Sequence, residues 1–142
     1  MKKIVMLLFI TGMFFNCSKS EGMEIISANE ADLIIIQMTE TIYSMGNFIS
    51  GAHPTTGNAA IGSDKTTLSL KNFKTDDGPK LLVYLSTDIA SSEFVSLGDL
   101  KGIEGDFTYN IPQNTDLEKY NIVNIWCVDF LVSFGYAELK IN

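Results

Sequence analysis

The sequence predicts an all-β fold, an antiparallel β-sandwich or partly closed barrel with one short helical turn. Three observations predict it. From residue 43 onward, short apolar or alternating runs rich in Val, Ile, Tyr, Phe and Thr recur, as half-buried pleated strands require. Gly, Asp, Asn and Pro punctuate these runs at intervals of about eight to twelve residues. No stretch longer than one turn carries the apolar period of an amphipathic helix.

Strands are expected over residues 43–50, 58–62, 66–71, 80–86, 106–111, 122–127 and 130–141. Leu68 and Leu70 share one face with Thr67 and Ser69 opposite, the pattern of a half-exposed strand. Residues 81–85 are apolar on both faces, which suits a central strand. In the last run Ala137, Leu139 and Ile141 alternate with Tyr136, Glu138 and Lys140. Ser63-Asp64-Lys65 reads as a hairpin turn, and Asp76-Asp77-Gly78-Pro79 as a breaker between strands. The helical turn falls at 116–120, capped by Asn114 or Thr115. Residues 23–42 stay ambiguous, because their β-branched runs fit strands while Asn29 could open a short helix.

The N-terminal residues read as an address. Lys2 and Lys3 precede a mostly apolar run over residues 4–15, the layout of an export signal. That run is shorter than the roughly 20 residues needed to span a bilayer. Cys17 follows directly, and Phe14-Phe15-Asn16-Cys17 resembles the lipobox of bacterial lipoproteins, with Asn16 at the usual small residue and Phe14 at the usual Leu. The resemblance implies acylation of Cys17 and a mature chain that begins there, tethered to the membrane of a bacterial cell envelope. The resulting organisation is a signal peptide over 1–16, a lipidated Cys17 with tether over 17–42, and a β domain over 43–142.

Composition narrows the function. The chain has 142 residues, enough for one domain, and 46% hydrophobic content, which is globular. Its formal charge is −7 and its basic residues are all lysines. An acidic surface without guanidinium forks grips phosphates poorly, so nucleic acid is not expected as a partner. Motifs of the common enzymes are missing: no Gly-x-Ser-x-Gly, no phosphate-cradling Gly-rich loop, no His-Glu-x-x-His. Asp76-Asp77 lacks the spacing of an EF-hand loop and reads as a solvated turn. His53 is the single histidine, and nothing in the sequence positions a triad around it. Once Cys17 is acylated, Cys127 is the one remaining thiol, so no intramolecular disulfide forms. Strand alternation puts Cys127 on the inward face with Val123 and Ile125, and Trp126 outward with Asn124. A cysteine so placed behaves as a small hydrophobe.

The run Trp126-Cys127-x-x-Phe130-x-Val132-x-Phe134-Gly135 resembles the signature of the electron-transfer DM-thirteen family. Gly46-x-Phe48, His53 followed by Gly57, Leu68-x-Leu70-x-Asn72-Phe73 and Gly78-Pro79 agree in order, so the resemblance covers residues 43–142. It implies a β-rich domain with a role in electron transfer through a signature cysteine, here Cys127, as redox thiol or haem ligand. His53 occupies the family's His-then-Gly position. If haem is the cofactor, Cys127 is one axial ligand and His53, Met45 or Met38 the other, held without covalent attachment because no Cys-x-x-Cys-His is present. A separate redox partner protein is then required. Val128 and Asp129 stand where family members often carry basic residues, and residues 74–77 form a shorter turn before Gly78-Pro79. The alternative is a non-catalytic surface binding or assembly module, using loops 51–57 and 91–105 with His53 and Phe94.

Overall fold

The computed structural model describes residues 41–142. The expected signal peptide, Cys17, the tether and Met38 lie outside the described residues. Within them the structure is all-β: β1 (Ile42–Ser50), β2 (Thr55–Gly62), β3 (Thr67–Thr75), β4 (Leu81–Ser86), β5 (Phe94–Asp99), β6 (Glu104–Asn110), β7 (Ile122–Cys127), β8 (Val132–Glu138) and β9 (Lys140–Ile141). The strands form one antiparallel sheet in the order β5-β4-β7-β8-β1-β2-β3-β6, with β9 pairing β1. The sheet curls into a nearly closed barrel. Its edges β5 and β6 are not laddered together; the residues between them continue each flank, Leu100 N–H bonding the Leu81 carbonyl (2.8 Å) beside β5 and Thr75 N–H the Ile103 carbonyl (2.9 Å) beside β6, while Lys101 N–H reaches the Tyr109 hydroxyl (2.9 Å).

Alternation decides what faces inward. Leu68 and Leu70, Val83 and Leu85, and Val123, Ile125 and Cys127 are all fully buried in one apolar cluster with Phe73, Phe134 and Ile61. β4 is central on its side of the barrel, paired with β5 and β7, which its two-sided apolar sequence foretold. The hairpin at Ser63-Asp64-Lys65 is present: Lys65 N–H bonds the Gly62 carbonyl at 2.9 Å, and Asp64 accepts from the Thr66 N–H at 3.0 Å.

Several expectations are corrected. β5 falls inside 91–105, which the sequence offered as a loop. Its residues are mostly exposed or half-buried, so it carries no apolar run, and its pairing with β4 defines it. The single expected strand over 130–141 is two strands. Phe130 and Leu131 belong to a turn, and the break at Leu139 marks where its N–H bonds the Asn121 carbonyl instead (2.8 Å). β2 and β3 extend to Thr55 and Thr75, past bulges at Thr56/Asn58 and Leu70/Phe73 that interrupt the alternation. The helical turn is one hydrogen bond, Tyr120 N–H to the Asp116 carbonyl (2.8 Å). Its cap is Asp116 itself, which accepts from the Glu118 and Lys119 N–H groups at 3.1 Å, rather than Asn114 or Thr115.

Candidate functional site

The residues of the signature meet at one pole of the barrel, where β1 ends, β4 begins and β7 turns into β8. Phe134 is the centre. Its ring is 1% exposed and belongs to the core cluster. Residues 51–53 wrap over the strand that carries it: the Gly51 and His53 N–H groups bond the Phe134 carbonyl at 2.9 and 3.2 Å, and Ala52 N–H bonds the Ser133 carbonyl at 2.8 Å. This wrap lays the His53 imidazole on the Phe134 ring, centroids 3.8 Å apart and planes 25° off parallel.

Two glycines make the arrangement possible. A Cβ on Gly135 would overlap the Thr55 side chain. Without it, Thr55 Oγ1 lies 3.1 Å from the Phe134 carbonyl, as its donor, and 2.9 Å from the Thr75 hydroxyl, with Thr55 and Thr75 both buried. A Cβ on Gly78 would meet Phe134 Cζ at 2.9 Å and Leu81 Cδ2 at 3.1 Å, so Gly78-Pro79 passes directly over both side chains.

His53 is held from a second side. Its Nδ1 is 3.0 Å from Asp76 Oδ2, which fixes the tautomer with the proton on Nδ1. Nε2 has no hydrogen-bond partner among the described residues. The pair is accessible, with side chains 38% and 54% exposed. An imidazole oriented by a carboxylate, with its other nitrogen outward, has the posture of a metal or hydrogen-bonding ligand. Among the described residues, though, no three His, Cys, Asp or Glu side chains cluster to hold an ion.

Cys127 is at the same pole but on the inner side. It pairs with Leu81 and Val132 across the neighbouring strands and is fully buried, without a hydrogen bond to its sulfur among the described residues. Cys127 and Phe134 belong to the same buried cluster, and His53 lies on the other side of the Phe134 ring. Cys127 does not fit haem ligation as the barrel stands, because a macrocycle needs an open face at the sulfur and this one is closed by aliphatic packing. Met45 projects outward from β1, 38% exposed, on the opposite face of the sheet from Cys127, and cannot complete a ligand pair with it. Phe94 stacks on Tyr84 (4.1 Å, 11°) on the outer surface, and Trp126 lies 6.5 Å from Tyr84 on that face. Burial raises the Tyr84 phenol above its ordinary value.

Sequence reasoning missed Asp76, Thr55 and Thr75. Asp76 read as a solvated turn carboxylate, and its partner is distant in sequence. No local pattern announces a buried threonine pair.

A nearly closed antiparallel barrel, with Phe134 and Gly135 packed under residues 51–55 and a His53–Asp76 pair at one end, defines a small β module. The chain belongs to the electron transfer DM13 family, whose model matches residues 47–139. That span contains every signature residue named above except Gly46. Membership associates the chain with electron transfer. No curated protein and no solved structure gives a significant match.

Proposed function

We propose that this chain serves electron transfer at the bacterial cell envelope as a lipid-anchored module that engages a separate redox protein, with Cys17 as the acylated residue. In this reading the accessible chemistry of the signature pole belongs to His53, oriented by Asp76, while Cys127 packs the core. The observation that carries it is the contrast between the two: the imidazole is 38% exposed, and the thiol is fully buried. A sealed thiol exchanges electrons with no incoming disulfide, since attack needs access and a thiolate.

Thiol labelling of the acylated protein tests the reading. Cys127 is expected to resist a water-soluble maleimide in the native state and to react only after unfolding. Rapid native labelling would transfer the redox role to Cys127. One observation favours that second reading: the turn directly after Cys127 includes Leu131 at φ 54, a conformation that bulky residues avoid and that marks a place where the hairpin end could open. A visible spectrum after haem titration separates the two further. No Soret band dependent on Cys127 is expected, and its appearance in the wild type with loss in Cys127→Ala would restore the haem-ligand role. Labelling with a radioactive fatty acid, lost in Cys17→Ser, checks the anchor.

A further inference from the structure

Phe130 and Leu131 are adjacent at the tip of the β7–β8 connection, and both side chains stand in solvent, 66% and 71% exposed. Such tips are ordinarily polar, because an apolar side chain there gains nothing from the core. Leu131 also holds φ 54, where glycine or asparagine is the comfortable residue. Replacing it with either would relieve backbone strain and apolar exposure together, so folding alone does not account for the pair. Contiguous exposed apolar side chains inside a polar rim are the mark of a contact surface.

The surroundings say what the contact is. Lys80 accepts the Val128 N–H at its carbonyl (3.0 Å), and Ala52 bonds Ser133 (2.8 Å), so the tip rises from the same pole as His53 and Gly78-Pro79. Around the tip stand Asp76, Asp77 and Asp129 against Lys80 and the His53 that Asp76 engages, with Asp99 beside Asp77 and Lys80 and a Lys74–Glu104 pair beyond Thr75. The rim is acidic, in keeping with a chain of formal charge −7. A second copy would set Asp77 and Asp129 against their own kind, and an anionic lipid surface would be repelled in the same way. The polypeptide also enters β1 at Ile42, the far end of that strand from Ser50, whose neighbours form this pole. The tip therefore lies at the opposite end of β1 from Ile42.

We infer that Phe130 and Leu131 form a docking knob for a basic redox protein, one that offers an apolar recess ringed by lysine or arginine. This rests on the electron-transfer reading and names the chemistry of the partner. Apolar contact at the centre supplies affinity, and the Asp76, Asp77 and Asp129 rim supplies steering that salt weakens.

The test uses the full acylated chain in neutral-lipid nanodiscs and a lysine-rich c-type cytochrome as probe, with an acidic electron carrier as control. Binding to the basic probe is expected, falling as ionic strength rises, with none to the acidic carrier. The double variant Phe130→Ser, Leu131→Asn keeps every charge and suits the left-handed backbone, so it should fold. It is expected to bind about tenfold more weakly or worse, as loss of a central apolar contact does. Unchanged affinity in that variant would overturn the knob and leave only diffuse charge attraction. Concentration-dependent dimerisation abolished by the same variant, or its selective loss of binding to anionic vesicles, would overturn it in favour of self-association or lipid. Equal, double-variant-sensitive binding to a lysine-rich protein that carries no redox group would keep the knob and fail the electron-transfer reading; binding confined to the cytochrome yet insensitive to the double variant would do the reverse.

Discussion

The two ends of this barrel are held together in different ways. At the end where the β2–β3 hairpin turns, the side-chain hydrogen bonds are local, Asp64 accepting from the Thr66 N–H and hydroxyl, while remote residues are reached by backbone bonds such as Ser63 N–H to the Thr41 carbonyl (2.7 Å) and by Lys65 Nζ, 4.0 Å from the centre of the Tyr43 ring. At the signature pole the bonds join distant parts of the chain: Thr55 to Phe134, Thr55 to Thr75, His53 to Asp76. The first end is a turn that its own residues specify. The second is an assembly that exists only once the barrel has closed, and its Thr55 and Thr75 hydroxyls are buried where an unmade bond is costly.

Substitutions at the signature pole should therefore cost far more. Gly135→Ala is expected to have the largest effect, about 3 kcal/mol, because the new methyl group collides with Thr55 inside a packed strand pair; urea unfolding measures it. Thr55→Val should cost about 2 kcal/mol by leaving the buried Thr75 hydroxyl without its partner and removing one of the three donors to the Phe134 carbonyl. If both proved harmless, the contrast between the ends would vanish. Cys127→Ser is expected to destabilise more than Cys127→Ala, about 2 against about 1 kcal/mol, since serine brings a hydroxyl into a site that offers it no partner. The reverse order would reveal a polar environment at Cys127 and sharpen the case for its reactivity. Asp64→Ala, at the local end, should lower the melting temperature least of all.

Acid sensitivity gives a smaller comparison. The Asn72 N–H, and after it Lys71, hold the Asp106 carboxyl below its ordinary value of 3.8. A carboxylate with a lowered folded pKa adds stability above its unfolded value and gives it up as pH falls through the folded one. Stability of the wild type should thus decline below about pH 4, and Asp106→Asn should flatten that part of the profile. An identical slope in the variant would show that the Asn72 contact contributes nothing to acid stability.

How much was legible follows the same division. The central placement of β4, the inward Cys127 and the Ser63-Asp64-Lys65 turn were readable because alternation and turn chemistry are local. Phe134 and Gly135 were singled out only through the family signature, His53 also as the single histidine and Gly78 also as part of a breaker, and why they matter appears in the folded chain, where Gly135 admits Thr55 and Gly78 overlies Phe134. Asp76 looked like a solvated turn residue because its partner is remote. β5 escaped because an edge strand with few buried positions has no periodic signal, and Phe130 was placed in a strand because its apolar character resembles a core residue's.

The missing ladder between β5 and β6 leaves this barrel one seam that no strand pairing closes. Leu100 N–H to the Leu81 carbonyl continues the β4–β5 side and Thr75 N–H to the Ile103 carbonyl the β3–β6 side, so parting the seam breaks no ladder on either flank. Slow deuterium uptake along β7 and β8 alongside quick uptake at Lys101 would be the imprint of a cylinder that breathes along a single line while its other staves stay bound.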